Sequence, residues 1–156
     1  MDFEVLKQVL AALESRGVKY AIFGAVALNL HGLARATEDL DIFIAPEDVT
    51  IDRLKLALRD VYDDPEIEHI TAGDLLGEYP AVEYNPPEGA FHIDILTRLG
   101  EAFTFADLEI ERVPYDDLIV SVVSSRTLYK MKKDTVRPKD RIDADWLRHR
   151  FNLEHD

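Results

Sequence analysis

Aspartates inside two short apolar segments constrain the fold of this chain more than any other feature of its sequence. Residues 39–44 read DLDIFI, and residues 91–96 read FHIDIL. Because side chains alternate between the two faces of a strand, Asp39 and Asp41 would share one face while Leu40 and Ile42 point into a core. Asp94 lies between two isoleucines and would follow the same pattern. We therefore expect two strands of one sheet, with three carboxylates on one face if the strands are neighbours.

Three carboxylates on one face are expected to need a positive partner. Like charges held side by side repel one another unless a cation lies between them. Mg²⁺ prefers hard oxygen ligands and often takes one or two carboxylates, with water and substrate phosphates completing its shell. The pattern therefore predicts a Mg²⁺ or Mn²⁺ site at Asp39, Asp41 and Asp94. The alternative is that the three aspartates lie solvated at an exposed edge of the sheet.

The rest of the chain alternates between helical and strand patterns. Apolar periodicity predicts helices at about 2–17, 25–31, 50–62, 124–135 and 138–150. Apolar runs predict strands at 18–23, 39–44, 81–84, 90–97, 109–113 and 118–122. Residues 63–79 are ambiguous, and a short strand with one helical turn is expected there. The order indicates an α/β (α+β) fold with a single mixed sheet and flanking helices. We expect one domain over residues 1–156, with the helix pair at about 124–150 packed on it.

Composition excludes several kinds of site. The chain has no cysteine, which removes disulfides, thiolate metal sites and cysteine nucleophiles. No apolar run reaches the roughly 18 residues of a membrane span, and the N-terminus lacks the pattern of a secretory signal. We therefore expect a cytoplasmic protein with no membrane partner.

Charge is distributed unevenly along the sequence. The net charge is -13, yet residues 121–150 hold nine Lys or Arg against four Asp, so this segment is +5 and the remainder is -18. A basic segment on an acidic body suits a phosphate-bearing ligand. The alternative is a solvated helix face.

Upstream of the first aspartates, a strand pattern ends at Gly24 and a helix pattern follows at once. Such a turn exposes backbone N–H groups at a helix start, which can bind an anion, and a glycine lets a phosphate approach the backbone closely. An ordinary strand-to-helix turn would have the same sequence.

Taken together, these motifs resemble a known family. Gly24-Ala25, His31-Gly32, Arg35, Thr37 and Asp39-x-Asp41 are similar to the signature of minimal nucleotidyltransferases. The nearest resemblance is to the abortive-infection nucleotidyltransferase toxins (AbiEii-like) and their small relatives. The C-terminal string supports it, with Leu128-x-Lys130, Arg137 and Lys139-Asp140-x-x-Asp143. The resemblance implies the DNA polymerase β-like nucleotidyltransferase fold.

The resemblance also implies roles for the matching residues. Gly24 and Ala25 would receive the β- and γ-phosphates of an NTP, and the three aspartates would form a two-metal site. Lys130 would contact the triphosphate, with Arg35 or Thr37 assisting; a solvated lysine is the alternative. Asp140 would orient Lys130 or pair with a neighbouring cation. The family turn usually carries Gly-Ser or Gly-Gly, so Ala25 removes a possible hydroxyl contact and leaves backbone N–H groups.

The implied activity is transfer of a nucleoside monophosphate from an NTP to a hydroxyl acceptor. The acceptor is open: RNA such as tRNA ends in a toxin–antitoxin setting with a cognate antitoxin, or a partner protein. A small acceptor such as an aminoglycoside is disfavoured, because no separate acceptor domain follows in this sequence. A different hypothesis is a non-catalytic nucleotide-binding or interaction domain with the same fold.

Overall fold

The computed structural model describes residues 1–88, 91–133 and 137–153. Six α-helices are found there, and their bounds are α1 Phe3–Ser15, α2 Gly24–Leu30, α3 Asp48–Val61, α4 Ala72–Leu75, α5 Ser125–Lys132 and α6 Pro138–Arg150. Two short 3-10 helices cover Pro65–His69 and Phe105–Asp107. Within this described part of the chain, no helix is both long enough and apolar enough to span a bilayer.

Six strands form one mixed sheet in the order β3-β4-β2-β1-β8-β7. Their bounds are β1 Tyr20–Phe23, β2 Asp39–Ile44, β3 Ala81–Tyr84, β4 His92–Leu96, β7 Ile110–Tyr115 and β8 Leu118–Val123. Strand β4 runs parallel to β2, and β8 runs parallel to β1, whereas β1–β2, β3–β4 and β7–β8 are antiparallel. A separate two-stranded ribbon joins β5 Arg98–Leu99 to β6 Phe103–Thr104.

The local sequence explains where the principal helices begin. Asp2 accepts hydrogen bonds from the backbone N–H groups of Glu4 and Val5 and so caps α1. Ser124 caps α5 in the same way, through the N–H of Thr127. Pro138 starts α6, where its missing N–H has no cost. These caps fix the ends of elements whose apolar stripes supply the core.

The core lies between the sheet and the helices. Leu10 and Leu13 of α1, Leu54 of α3 and the sheet residues Leu40 and Ile42 are fully buried. Burial of such side chains contributes roughly 1.5–3 kcal/mol each. Helix α5 packs on α6, and Leu128 and Leu147 bury one face of each. The apolar alternation around the aspartates therefore anchors their strands firmly.

The predicted α/β architecture with a mixed sheet is confirmed. The short strand expected within residues 63–79 is wrong, because that segment forms a 3-10 helix and a single α-helical turn. Pro65 favours the helical start, and Asp64 caps it by accepting from the N–H of Glu66. The end of the helix predicted to reach about Thr135 lies outside the described residues, as does the Ala90 end of the predicted strand 90–97.

Candidate functional site

The aspartates of β2 and β4 meet at the centre of the sheet. The two strands are parallel neighbours, and Asp41 lies directly opposite Asp94 in their register. Apolar side chains flank both positions and are buried, namely Leu40, Ile42, Ile93 and Ile95. The alternation predicted from the sequence thus holds both carboxyl groups on one face of a sheet whose other face is packed.

The Asp41 and Asp94 carboxyl groups are close enough to hydrogen bond to each other. Burial, followed by this hydrogen bond and the negative charges of Asp94 and Asp39, raises the pKa of Asp41 to about 7. The positive charge of Lys132 acts in the opposite direction. Two carboxylates in contact cannot both ionise cheaply, so the pair favours a shared proton or a bound cation.

Asp39 lies two residues before Asp41 on the same face of β2, opposite His92 of β4. Its charge reaches Asp41, as the effect on the Asp41 pKa shows. Across residues 1–88, 91–133 and 137–153, however, no three His, Cys, Asp or Glu side chains are arranged closely enough to hold a metal ion. The contact present is therefore a pair, Asp41 and Asp94, with Asp39 beside it.

Gly24 lies directly against the side chain of Asp41. Its φ is +69°, a left-handed conformation that side chains rarely adopt. A β-carbon at this position would overlap Oδ2 of Asp41 and lie 3.0 Å from its Cγ. Glycine is therefore required both by the backbone and by the neighbouring carboxylate, a reason that the sequence alone could not give.

Helix α2 starts at Gly24 without a side-chain cap. Its N-cap residue, Phe23, provides no hydrogen bond to the first turn, although such a turn leaves several N–H groups without a helical partner. Ala25 is half-buried beside Gly24. The turn thus brings backbone donors next to the Asp41 carboxylate.

Lys132 of α5 brings a positive charge close enough to Asp41 to lower its pKa. Its Nζ donates to Oδ1 of Asp140 at 3.0 Å and to Oδ2 of Asp143 at 3.1 Å, and its charge is felt at Asp41. The Lys132 side chain is 16% exposed and that of Asp143 is 1% exposed. A buried carboxylate of this kind needs its cationic partners.

Arg35 joins the same network from the segment between α2 and β2. Its Nε donates to Oδ1 of Asp143 at 2.9 Å, and its guanidinium also forms an ion pair with this carboxylate. Thr37 shapes the entry to β2, since its hydroxyl donates to the carbonyl of Asp39 at 2.8 Å. Arg35 therefore supports the Lys132 network, and Thr37 supports the backbone of the aspartate strand.

The sequence motif points to Lys130 but not to Lys132. Lys130 is exposed on α5, whereas Lys132 is partly buried. Helical periodicity could have identified Lys132. It lies one turn beyond the buried Leu128 and shares its face, whereas Lys130 points away. Asp143, part of the quoted motif without a role, is the carboxylate that joins Arg35 to Lys132.

His31 packs at the end of α2, away from the Gly24 turn. Its Nε2 lies 2.9 Å from the carbonyl oxygen of Val123, and its ring meets the edge of Phe151 at a centroid distance of 5.7 Å. These contacts are those of a packed structural residue.

Three solved structures share this fold. A candidate nucleotidyltransferase from Thermotoga maritima, TM1012, has a TM-score of 0.59 and 15% identity, covering 96% of this chain and 92% of its own. ANT(2'')-Ia in complex with adenylyl-2''-tobramycin has a TM-score of 0.56 and 13% identity, covering 95% and 88%. The solution structure of ANT(2'')-Ia, a resistance factor, gives 0.57 and 13%, covering 97% and 86%. At such low sequence identities, the structural similarity shows that this chain has the same fold as these proteins and no more.

Among curated proteins, none matches this chain at the sequence level. The model of the family described as nucleotidyl transferase AbiEii toxin, type IV toxin–antitoxin system, matches residues 8–155. That range contains the carboxylate pair, the Gly24 turn and the Lys132 network. The chain therefore belongs to the AbiEii family of nucleotidyltransferase toxins.

Proposed function

We propose that this protein transfers a nucleoside monophosphate from an NTP to a hydroxyl acceptor in a reaction that requires a divalent metal. The observation that carries the proposal is the contact between Asp41 and Asp94, with Gly24 against the Asp41 carboxylate and the charge of Lys132 acting on Asp41. It combines paired oxygen ligands, an open backbone turn and a cation, which are the elements that phosphoryl-group transfer uses.

The donor set fits Mg²⁺ or Mn²⁺. Asp41 and Asp94 offer hard oxygen atoms from rigid neighbouring strands, and Mg²⁺ commonly takes one or two carboxylates. A cation between them would also relieve the repulsion that helps to raise the Asp41 pKa. Asp39 extends the same face, and we propose it as a third ligand. When bound, the metal would neutralise charge on the attacking and leaving oxygens.

The proposed reaction is an in-line displacement. The acceptor hydroxyl oxygen forms a bond to the α-phosphorus, and the bond from that phosphorus to the bridging oxygen of pyrophosphate breaks. The hydroxyl proton passes to a carboxylate of the Asp41–Asp94 pair or to water, and pyrophosphate leaves with the bonding electrons.

The nucleotide would bind on the side of Asp41 that is next to the Gly24 turn, opposite the side that is next to Asp94. The N–H groups at Gly24 and Ala25 would receive the β- and γ-phosphates, and Lys132 would supply positive charge. We propose that Asp140 orients Lys132 through their 3.0 Å contact. Arg35 would hold Asp143 in place, and Thr37 would hold the backbone of Asp39. The sequence predicts that Lys130 contacts the triphosphate; we propose Lys132 for this contact instead, because Lys130 is exposed and Lys132 is partly buried beside the site.

Membership of the family indicates only part of the acceptor's identity. A toxin–antitoxin family suggests a cognate antitoxin, and the acceptor hydroxyl would belong to RNA, such as tRNA ends, or to a partner protein. ANT(2'')-Ia was crystallised with adenylyl-2''-tobramycin, an adenylylated compound, so a protein of this fold holds the product of such a transfer. A cytoplasmic location, where NTPs are abundant, fits this function.

The test is incubation with each α-labelled NTP and Mg²⁺ or Mn²⁺, with total RNA, lysate protein or buffer alone as acceptor. Label on RNA or protein in the wild type, absent with Asp41→Asn, is the expected result. NTP binding without transfer to any acceptor would favour a non-catalytic nucleotide-binding domain instead. Absence of NTP binding would contradict the proposal.

A further inference from the structure

Asn29 is a polar residue of α2 whose side chain makes a hydrogen bond beyond its own helix. Its Oδ1 accepts a bond of 2.7 Å from the backbone N–H of Arg35, six positions further along the chain. Short polar side chains often fix the local course of the chain through such bonds to backbone groups. The half-buried carboxamide of Asn29 therefore ties the end of α2 to the segment that carries Arg35.

The segment around Arg35 depends on this tie for its position. It lies between α2 and β2 and, in the described structure, is neither helix nor strand. Just past α2, the backbone holds itself, since the N–H of Leu33 donates to the carbonyl of Leu28 at 2.9 Å. At Arg35 the acceptor is the Asn29 side chain instead. Removing that side chain would leave the Arg35 N–H without this acceptor, and the segment could then move.

Arg35 connects Asn29 to the cation near the carboxylate pair. The Nε of Arg35 donates to Oδ1 of Asp143 at 2.9 Å, and Oδ2 of the same carboxylate accepts from Nζ of Lys132 at 3.1 Å. Because Arg35 and Lys132 share one buried carboxylate, a shift of Arg35 would also shift the partner of Lys132. Asp140 holds Lys132 from within the α5–α6 pair, so Asp143 is the contact through which α2 can act on Lys132.

Helix α2 therefore takes part in the site at both of its ends. At its start, Gly24 lies against the Asp41 carboxylate. Near its end, Asn29 holds Arg35, and the contacts continue through Asp143 to Lys132, whose charge acts on Asp41. The same short helix thus fixes the turn beside Asp41 and influences where the cation lies.

We propose that Asn29 is a positioning residue for nucleotide binding, which holds Arg35 so that Asp143 presents Lys132 to the phosphates of the NTP. This inference rests on the proposed function and on Lys132 as the phosphate contact. The Asn29 side chain would contact Arg35 and not the nucleotide. Its effect on nucleotide binding should therefore depend on the presence of Lys132.

The experiment is a double-mutant cycle on the full chain, which measures the dissociation constant of a non-hydrolysable NTP analogue in the presence of Mg²⁺. Analogues of all four NTPs are first compared on the wild type, and the one that binds most tightly is used throughout. Asn29→Ala is expected to raise the dissociation constant about three- to ten-fold, as for loss of one hydrogen bond. In the Lys132→Met background, the same substitution should change it less than about two-fold, because residues of one network are not additive. Equal effects in both backgrounds would overturn the inference.

Asn29→Asp tests whether the acceptor oxygen itself is what matters. This variant keeps an oxygen that can accept the Arg35 N–H, so it should bind the analogue within about two-fold of the wild type. Equal weakening by Asn29→Ala and Asn29→Asp would contradict a role for this hydrogen bond.

Thr71→Ala is the matched control for loss of stability. Thr71 likewise accepts a bond from a backbone N–H, that of Asp74 at 3.2 Å, but it caps α4, which packs beside β3. Chemical denaturation should show that Asn29→Ala and Thr71→Ala are both folded, and only Asn29→Ala should weaken binding of the analogue. Equal weakening by the two variants would reduce the Asn29 effect to general destabilisation and overturn the inference.

Failure of this inference and failure of the proposed function give different results. If the wild type shows no Mg²⁺-dependent binding of any analogue, the proposed function is contradicted. If the wild type binds, Lys132→Met weakens binding and Asn29→Ala leaves it unchanged, only the inference about Asn29 is contradicted.

Discussion

Gly24 lies against the carboxylate of Asp41, so closely that a β-carbon at position 24 would overlap Oδ2 and lie 3.2 Å from the Asp41 Cβ. The contact joins the end of β1 to the aspartate strand β2, which are antiparallel neighbours with Phe23 opposite Asp41. The glycine thus links the two parts of the site, the backbone turn and the carboxylate pair.

Gly24→Ala should therefore displace Asp41 and abolish Mg²⁺-dependent NTP binding. The left-handed backbone alone costs a non-glycine residue about 1–2 kcal/mol. Gly100→Ala is the matched control, because Gly100 has a φ of +59° and nothing within 4 Å of its added β-carbon. Both variants should lose similar backbone stability in chemical denaturation, but only Gly24→Ala should lose nucleotide binding. Equal nucleotide binding in the two would refute the role of this contact.

The metal-free protein should become less stable as pH rises from about 4 to about 7. The pKa of Asp41 is about 7 in the folded state against an ordinary value of 3.8. Between these values the folded state holds a proton that the unfolded state releases, so the free energy of unfolding falls with pH and levels off above 7. Denaturation of wild type and Asp41→Asn across this range should show the fall only in the wild type, and Mg²⁺ should reduce it. If the free energies of unfolding of wild type and Asp41→Asn changed with pH in the same way, the raised pKa of Asp41 would be contradicted.

Lys132 and Lys130 should differ sharply in their effect on nucleotide binding. Lys132→Met removes the positive charge that acts on Asp41. Loss of a charged contact of about 1.5–3 kcal/mol would raise the NTP dissociation constant at least about ten-fold. Lys130→Met removes an exposed lysine and should change the constant less than about two-fold. Titration with a non-hydrolysable NTP analogue measures both. The reverse order would assign the phosphate contact to Lys130.

Asp143→Asn should destabilise the fold. Asp143 is 1% exposed and partners both Arg35 and Lys132. Neutralising it removes the buried counter-charge of Arg35 and leaves Lys132 with Asp140 as a remaining partner, at a cost of about 3–5 kcal/mol. Asp145→Asn on the same helix is the control, since Asp145 is 71% exposed and should cost under about 1 kcal/mol. Similar unfolding free energies for the two variants would show that the Asp143 network contributes little.

The elements that the sequence predicted well are those with strong local patterns. Strand β2 and strand β3 have the bounds predicted for them, because apolar alternation and turn residues define both ends. The α/β class follows from the order of such elements. The segment 63–79 has no clear period, and the capping of its 3-10 helix by Asp64 decided its structure instead.

The assembly of the site depends on pairings that local patterns do not encode. The sequence predicts that Asp94 lies near Asp41 only if β4 is a neighbour of β2. The two strands are indeed parallel neighbours, and they bring together two aspartates that are 53 positions apart in the sequence. The network of Arg35, Lys132 and Asp143 joins residues up to 108 positions apart. Spacing could identify the face of α5 that carries Lys132, but not the partner that this face would meet.

Nucleotide binding by Asp94→Asn tests the central claim most directly. Asp94 contributes half of the carboxylate pair and lies on the solvent side of a strand whose neighbours Ile93 and Ile95 hold the core, so the variant should fold. We predict that the wild type binds a non-hydrolysable NTP analogue in a Mg²⁺-dependent manner and that Asp94→Asn loses the Mg²⁺ dependence. Equal Mg²⁺-dependent binding by wild type and variant would contradict a metal site at Asp41 and Asp94.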